Sequence, residues 1–254
     1  MNKNINFDPV VQYYDTYVQF DYDLEFWKNE IGTSTGYVLE LMCGSGRISI
    51  PLIHQGVQFY ALDYSKGLLG EFEKKLNKAK LQAEIIHADA RHFKIRKEFD
   101  CIFIGCHSLS EILENKDKLS LLKSVCKHLT KDGKFVFSLH NPAYKLKQLT
   151  KDSVYSTEFD YGENESILHF TFTFLSFDEK TNIVQAKQEY QVVDSRNNIV
   201  DSYSMGIAYH LIPRKEIENL LELTGFKVSH IFGDYQGNHY EADRPFMIYR
   251  CVKK

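Results

Sequence analysis

The sequence has few features that would place it in a membrane, outside the cell or on a metal. No apolar run reaches the roughly 18 residues that a membrane-spanning helix needs. The first six residues lack the basic and then apolar pattern of a secretion signal. The five cysteines are scattered, at positions 43, 101, 106, 126 and 251, and form neither a disulfide framework nor a Cys-x-x-Cys motif. These absences predict a cytoplasmic protein with reduced thiols, no metal site and no membrane contact.

A surplus of positive charge is also absent. Lys and Arg number 31 against 34 Asp and Glu, which gives a formal net charge of −3. Nucleic-acid-binding proteins generally carry a basic surface that neutralises phosphates. We therefore expect a small-molecule partner and no nucleic acid. The length of 254 residues suits one domain that carries a subdomain.

Strands and helices alternate through the first 140 residues. Apolar runs predict strands at 37–42, 57–62, 83–88, 99–106 and 134–139, the last preceded by a turn at Asp132-Gly133. Apolar residues at helical spacing predict helices at 47–55, 65–79 and 116–129, with Ser65 as a cap, and one or two more within 9–31. This alternation is typical of a parallel sheet with helices on both faces.

The pattern changes after residue 150. Residues 167–177, 183–193 and 199–211 alternate apolar and polar side chains, which predicts a three-stranded antiparallel meander. A helix at 214–224 and strands at 226–232 and 245–252 follow. We predict an α/β domain of residues 1–145 and 212–254, whose residues 1–35 form a helical lid, and a β insertion of residues 146–211. An exposed meander edge could pair between subunits, so monomer and homodimer both remain open.

A glycine-rich turn follows the first predicted strand. Gly44 and Gly46 lack Cβ atoms, so the turn can be tight and a ligand can lie against bare backbone. The next helix offers its N-terminal N–H groups to a negative group. Asp63 ends the second strand about 20 residues later, where an acid binds ribose hydroxyls in such folds. Its alternative role is that of a turn or helix-capping residue.

Two further segments border the same crevice, at the carboxyl ends of parallel strands. Asp89 and Ala90 follow the third strand, where they could flank an adenine. Cys106, His107 and Ser108 follow the fourth.

Together, Glu40–Arg47, Asp63, Asp89-Ala90 and the stretch from Phe99 to His107 resemble the successive motifs of class I S-adenosylmethionine-dependent methyltransferases. The segments 208–228 and 233–250 resemble the family's last helix, sixth strand and closing hairpin. The inserted meander is similar to that of small-molecule enzymes, including amino-sugar and glycine-type N-methyltransferases. The resemblance implies a Rossmann-like seven-stranded sheet with an antiparallel last strand. It also implies S-adenosylmethionine as cofactor, with S-adenosylhomocysteine as product.

The resemblance assigns a set of residues to the cofactor. Tyr14 and Tyr22 resemble the N-terminal lid of those enzymes, in which tyrosines close over the cofactor. Simple helix packing is the alternative role for these aromatic side chains. The family turn usually has a glycine where this chain has Met42, whose side chain could crowd the methionine end of the cofactor. The assigned residues are Tyr14, Tyr22, Glu40, Cys43, Gly44, Gly46, Arg47, Asp63, Tyr64, Asp89, Ala90, Cys106 and His107.

Methyl transfer from a sulfonium depends mostly on aligning the acceptor, the methyl group and the sulfur. A general base is needed only where the acceptor must lose a proton, so no single residue is required by the chemistry. The candidates for base or acceptor positioning are His107, His140, Tyr209 and His210. For each histidine, a hydrogen-bonded structural role is the alternative.

Three other functions stay open or are disfavoured: a nicotinamide-dependent oxidoreductase, a catalytically silent binding protein and an RNA methyltransferase, the last disfavoured by the lack of a basic surplus. A nicotinamide-dependent oxidoreductase would need a third glycine where Ser49 stands. A catalytically silent S-adenosylmethionine-binding protein would share every cofactor motif. Asn141-Pro-Ala-Tyr144 resembles the signature of nucleic-acid amino methyltransferases, but it follows the fifth predicted strand instead of the fourth, so we interpret it as a strand-end turn. The short charge runs 74–80 and 145–151 are interpreted as solvated faces.

Overall fold

Two β-sheets organise the protein, whose computed structural model describes residues 5–32, 34, 36–150, 153–162 and 165–254. Residues 1–4, 33 and 35 of the predicted lid and 151, 152, 163 and 164 of the predicted insertion lie outside the described residues. The strands are β1 (Tyr37–Leu41), β2 (Gln58–Asp63), β3 (Glu84–His87), β4 (Phe99–Ile104), β5 (Leu129–His140), β6 (Val154–Tyr161), β7 (Ser166–Asp178), β8 (Ile183–Val193), β9 (Ile199–His210), β10 (Phe226–Phe232) and β11 (Phe246–Lys253).

The helices are short to medium in length. None in the described part of the chain combines the length and the apolar character that a membrane span requires. They are α1 (Val11–Tyr17), α2 (Leu24–Ile31), α3 (Ser49–His54), α4 (Lys66–Ala79), α5 (Asn115–His128), α6 (Pro142–Gln148) and α7 (Arg214–Leu223), with 3-10 turns at Asp8–Val10 and Ser108–Glu111.

The larger sheet has the strand order β10-β11-β5-β4-β1-β2-β3. Strands β1 to β5 are parallel, and β11 runs antiparallel between β5 and β10. This confirms the predicted Rossmann-like sheet with an antiparallel last strand. The order reverses between β1 and β4, and in such sheets the crevice at that reversal, at the carboxyl ends of the strands, is where ligands bind.

Apolar side chains on both faces of the larger sheet explain why helices pack against each face. Along β1, Val38 packs with Trp27 and Phe72 on the side of α2, α3 and α4. Leu39 and Leu41 point the other way, into the cluster that α5 and α7 complete. Residues alternate between the two faces because side chains of a strand have a period of two. The sheet thus holds the carboxyl ends of its strands rigidly at one edge.

The smaller sheet, ordered β6-β7-β8-β9, packs one face against α1. The ring of Tyr17 stacks on Phe170 with centroids 4.7 Å apart, and Tyr13 stacks on Tyr190 at 5.3 Å. The Tyr13 hydroxyl also donates a hydrogen bond to Asp201, at 2.5 Å. Tyr13 and Tyr17 therefore pack α1 against the smaller sheet.

Two strand predictions need correction. The turn expected at Asp132-Gly133 is absorbed into β5, which starts at Leu129, pairs with Phe99, and then shifts register before Lys134. The predicted three-stranded meander has a fourth strand, β6, paired along its length with β7. Its outward residues Val154 and Tyr155 are exposed apolar side chains, so the alternation of polar and apolar residues that marks a half-buried strand is weak there.

The Asn141-Pro sequence begins a helix and not a simple turn. The Asn141 side chain accepts a hydrogen bond from the N–H of Ala143, and Pro142 occupies the first position of α6. Both residues are favoured at those positions, since the cap satisfies a free N–H and proline has none to lose. As a consequence Lys145, predicted to be solvated, faces a cavity described below.

The start of α4 offers a test of the fold. Ser65 is buried, its hydroxyl accepts from the N–H of Leu68 at 3.1 Å and it donates to Asp8. We expect Ser65→Ala to lower the free energy of unfolding by about 1 kcal/mol, as is usual for a lost N-cap. Urea unfolding measures this. The exposed strand residue Ser204 is the control, and an equal effect of Ser204→Ala would contradict the capping role.

Candidate active site

Three cavities adjoin at the carboxyl edge of the larger sheet. Phe7 and Glu111 line all three, so the cavities border one another and are together called the cleft. Further residues of the first cavity are Tyr14, Asp63, Tyr64, Asp89, Ala90 and Ile112. Those of the second are Tyr17, Phe20, Glu40, Cys43, Arg47 and Cys106, and those of the third are His107, His140, Lys145, Phe172, Gln188 and Tyr209.

Asp63 links the glycine turn to the start of α4. Its two oxygens accept from the N–H of Gly44 at 2.7 Å and from that of Ser65 at 2.8 Å. Burial raises the pKa of the carboxyl, and the two backbone N–H groups limit that rise. Asp63 lines the first cavity, and a carboxylate has about four lone-pair sites, so it can still accept a hydrogen bond from a ligand hydroxyl.

The turn after β1 keeps a left-handed backbone at a residue that is not glycine. Met42 has φ +59° and lines the first and second cavities. A non-glycine residue in this region costs about 1–2 kcal/mol. The backbone therefore retains the shape that a glycine would favour, and the Met42 side chain extends into the cleft, as the sequence indicated.

A side chain is disfavoured at each of the two glycines of the turn, but for different reasons. A Cβ on Gly44 would come within 3.0 Å of the Tyr14 hydroxyl, which closes over the turn. Gly46 has φ +83°, and a Cβ there would clash with the Phe72 ring of α4. Gly46 is absent from the described cavity walls, so its position is explained by packing and not by ligand contact.

Glu40 faces the second cavity from the end of β1. It is 3% exposed and accepts a hydrogen bond from the Ser49 hydroxyl. Burial raises the pKa of this carboxyl to about 8. Beside it, Cys43 is buried and its N–H donates to the carbonyl of Leu62, which fixes the turn to β2. A cationic ligand group in the second cavity would stabilise the charged form of Glu40.

Arg47 is held in place by Asp23, a residue that sequence reasoning missed. Its guanidinium donates to both oxygens of Asp23, at 2.7 Å each, and to the carbonyl of Phe20 at 2.8 Å. The guanidinium lies 4.1 Å from the Phe20 ring centroid and 3.0 Å from the Cys106 sulfur. Arg47 thus anchors the residues before α2 to the wall of the second cavity.

The far end of the first cavity carries Asp89 and Ala90, as predicted. Burial alone would raise the pKa of Asp89, but hydrogen bonds from Arg91 lower it. Arg91 also pairs with Asp117 at 3.1 Å, which ties this loop to α5. Tyr64 borders the cavity while half of its surface stays exposed.

The two predicted lid tyrosines, Tyr14 and Tyr22, lie in different environments in the structure. Tyr14 lines the first and second cavities, and burial raises its hydroxyl pKa well above the ordinary value. Tyr22 is 52% exposed and packs on Phe20 and Tyr235. The structure does not bring Tyr22 to the described cavity walls, because the chain between α1 and α2 turns outward there.

Three of the four proposed catalytic residues meet in the third cavity. The rings of His107 and His140 lie 4.0 Å apart, and that of Tyr209 is 6.5 Å from His140. Burial lowers the pKa of His107 to about 3 and that of His140 well below its usual range, so both imidazoles are neutral at pH 7. Among the described residues, the His107 Nδ1 and Tyr209 hydroxyl are buried without a hydrogen-bond partner.

His210 lies away from the described cavity walls, and here the placement expected from the sequence is wrong. It is 4% exposed, and its Nδ1 lies 2.8 Å from the Nζ of the buried Lys118 on α5. Burial and the nearby Lys118 lower the pKa of His210 to about 4. Successive residues of a strand point to opposite faces, so Tyr209 faces the cleft and His210 faces α5.

The sequence also missed residues that the tertiary fold brings to the cleft. Glu111 ends the 3-10 turn after β4, and Gln188 projects from the middle of β8 into the second and third cavities. Lys145 reaches the third cavity from α6. The only available signal was that Glu111 and Lys145 follow predicted strands at the expected crevice. Within the described ranges, His, Cys, Asp and Glu residues form no group of three suited to a metal ion.

Comparison with known proteins gives a domain match and a distant relative. Residues 38–133 match the family described as "Methyltransferase domain". The "Putative methyltransferase YqeM" of Bacillus subtilis (strain 168) is 23% identical over 219 residues, which is 86% of this chain and 84% of that protein.

Solved structures share the architecture over nearly the whole chain. An S-adenosylmethionine-dependent methyltransferase from Clostridium acetobutylicum ATCC 824 has a TM-score of 0.79 at 20% identity, and the match covers 97% of this chain and 98% of that one. The sugar N-methyltransferase KedS8 from Streptoalloteichus sp ATCC 53650 has a TM-score of 0.75 at 14% identity, with coverage of 99% and 94%. At these identities the likeness establishes the fold. The domain match itself covers residues 38–133.

Proposed function

We propose that this chain, which carries a methyltransferase domain on the class I methyltransferase fold, binds S-adenosylmethionine and transfers its methyl group to an N or O nucleophile of a small molecule. The observation that carries the proposal is that the three cavities adjoin, with Phe7 and Glu111 lining each of them. One end lies at Asp63 and Asp89, and the other is a chamber walled by β7, β8 and β9. A cofactor and an acceptor can therefore meet inside the protein.

The residues of the first two cavities fit the cofactor's chemistry. Asp63 can accept a hydrogen bond from a ribose hydroxyl, and Asp89-Ala90 borders the space for an adenine. The bare backbone of Gly44 lets the amino-acid end lie close, under the Tyr14 hydroxyl. Glu40, whose burial disfavours the charged form, gains a partner when a cationic group arrives.

S-adenosylmethionine supplies a methyl group on a positively charged sulfur, which is a good leaving group. The protein then has to align the acceptor and exclude water. His107 and Tyr209 border the third cavity, and the His107 Nδ1 and the Tyr209 hydroxyl are buried without a partner among the described residues, so a rotation of either side chain would let it bond a polar group of an acceptor. Because His107 and His140 are neutral, each imidazole has one nitrogen that can accept a hydrogen bond and one that can donate.

The smaller sheet serves, in this proposal, as the wall and roof of the acceptor chamber. Phe172, Ile207 and Tyr209 supply apolar and aromatic surface, and Gln188 adds a polar group. This chamber, with a volume of about 250 Å³, admits a small acceptor. KedS8, a sugar N-methyltransferase, has the same overall fold and supports an acceptor of this class.

Isothermal titration calorimetry tests the cofactor, and a methyl-transfer screen over amines, amino sugars, amino acids and phenols tests the reaction. We expect S-adenosylmethionine and S-adenosylhomocysteine to bind with micromolar or tighter affinity, and NADH not to bind. Absence of binding by both S-adenosyl ligands would end the proposal. Binding without product formation over the whole screen would favour a silent binding protein.

A further inference from the structure

We infer that Glu111 binds the protonated amine of the acceptor beside the transferred methyl group, which makes this protein an N-methyltransferase for cationic amines. The inference rests on the proposed function and names its substrate class. It begins with position. Glu111 lines the first, second and third cavities, so its carboxyl lies where the space for the cofactor meets the acceptor chamber.

The second observation is that Glu111 has no partner within the described part of the chain. Each other carboxylate on the described cavity walls is already engaged: Asp63 by backbone N–H groups, Glu40 by Ser49 and Asp89 by Arg91. Glu111 makes no ion pair or side-chain hydrogen bond with the described residues, and its oxygens are not sealed from the cavity. A half-buried carboxyl without a protein partner is suited to a ligand.

The electrostatic surroundings of Glu111 favour a ligand with a positive charge. Burial, followed by the nearby anion Asp63, raises the pKa of Glu111 to about 8. Both influences disfavour an isolated negative charge. A cation relieves both, since it supplies the opposite charge in a place with little water. Among the described residues, Glu111 is the only acid that lines the third cavity, so an amine held there faces this carboxylate.

The Glu111 carboxylate has two roles: it binds the ammonium group, and it then accepts a proton from it. An ammonium nitrogen has no lone pair, so it first gives one proton to a Glu111 oxygen. The nitrogen lone pair then forms the bond to the methyl carbon while the sulfur–carbon bond breaks, and that electron pair remains on sulfur. The product leaves as a methylated ammonium, and the Glu111 proton passes to water. Burial raises the pKa of Glu111, so its carboxylate is a stronger base than an exposed one.

Two cofactor analogues test the inference before an acceptor is known. S-adenosylhomocysteine is neutral at its sulfur, whereas sinefungin carries a protonated amine at the position of the transferred methyl. Calorimetry at about pH 8 measures both dissociation constants for the native protein and for Glu111→Gln. We expect Glu111→Gln to weaken sinefungin about 10- to 100-fold, as for a lost charged hydrogen bond, and to change S-adenosylhomocysteine by no more than about twofold.

Controls separate this result from a general disturbance. Glu114→Gln makes the same change three residues further along, at an exposed position outside the described cavity walls, and should leave both affinities unchanged. Glu111→Asp, which restores the charge on a shorter side chain, should recover part of the sinefungin affinity. With an amine acceptor from the screen, Glu111→Gln should lower kcat/KM while a phenol acceptor is unaffected.

Two outcomes would overturn the inference while the proposed function stands. In one, Glu111→Gln leaves both affinities unchanged although both ligands bind. In the other, it weakens both ligands equally, which would make Glu111 part of the nucleoside site. If neither ligand binds the native protein, the proposed function itself fails.

Discussion

The Asp23→Ala variant is expected to lose about 3–5 kcal/mol of unfolding free energy, a large part of the stability of a single domain. Asp23 is 1% exposed, and it accepts hydrogen bonds from two guanidinium nitrogens of Arg47 and from the indole N–H of Trp27 at 3.1 Å. Its removal leaves the Arg47 charge, which is only 13% exposed, without a counter-ion. Breaking one side of a buried pair is costly because the other charge remains desolvated.

Chemical unfolding followed by circular dichroism measures this effect. Asp21→Ala is the matched control, because Asp21 is exposed and lies two residues away, and it should change stability by less than about 0.5 kcal/mol. A double variant that also carries Arg47→Ala should lose less than the sum of the two single changes. Equal losses for Asp21→Ala and Asp23→Ala would show that the ion pair does not anchor this segment.

The Asp63→Ala variant should bind S-adenosylhomocysteine about 100-fold more weakly. The change removes the carboxylate that faces the first cavity, and a hydrogen bond to a charged group contributes about 1.5–3 kcal/mol. It also frees the N–H groups of Gly44 and Ser65, so the turn that cradles the ligand loses its shape. Asp63→Asn keeps one acceptor oxygen and should lose about tenfold.

Calorimetry measures the loss, and a thermal unfolding curve shows whether the variant is folded. Asp100→Ala serves as control, since Asp100 is exposed at the start of β4, distant along the strand from the carboxyl edge. Its affinity should stay within about twofold of the native value. A folded Asp63→Ala protein with native affinity would remove Asp63 from the proposed ribose site.

The parts of the fold and site that local patterns determine could be predicted from the sequence. Strands β1 to β4 are short apolar runs that end where Gly44, Asp63 and Asp89 begin, and the parallel order brings those ends together. Ser65 was predicted as the cap of α4 because its hydroxyl can reach the N–H three residues ahead. Such features depend on neighbours in the chain, so the sequence alone is sufficient.

Other features depend on contacts between distant residues. Glycine is needed at position 46 because the Phe72 ring of α4 packs on it. The role of Asp23 becomes evident only from its ion pair with Arg47. His210 and Tyr209 are adjacent in sequence, yet only the packing of β9 against α5 decides which of them faces the cleft. Glu111 lies on a 3-10 turn with no periodic pattern, and its lack of a hydrogen-bond partner among the described residues is evident only in three dimensions.

Helix α1 connects the two ends of the cleft mechanically. Tyr14 lies over the Gly44 turn, while Tyr13 and Tyr17 on the same helix are fixed to the smaller sheet by Asp201 and Phe170. A displacement of α1 that uncovers the turn therefore also moves the wall of the acceptor chamber. In kinetic terms the two substrates do not bind independently. The expected pattern is an ordered sequence in which the cofactor binds first and the demethylated thioether dissociates last, and steady-state product inhibition distinguishes that order from random binding.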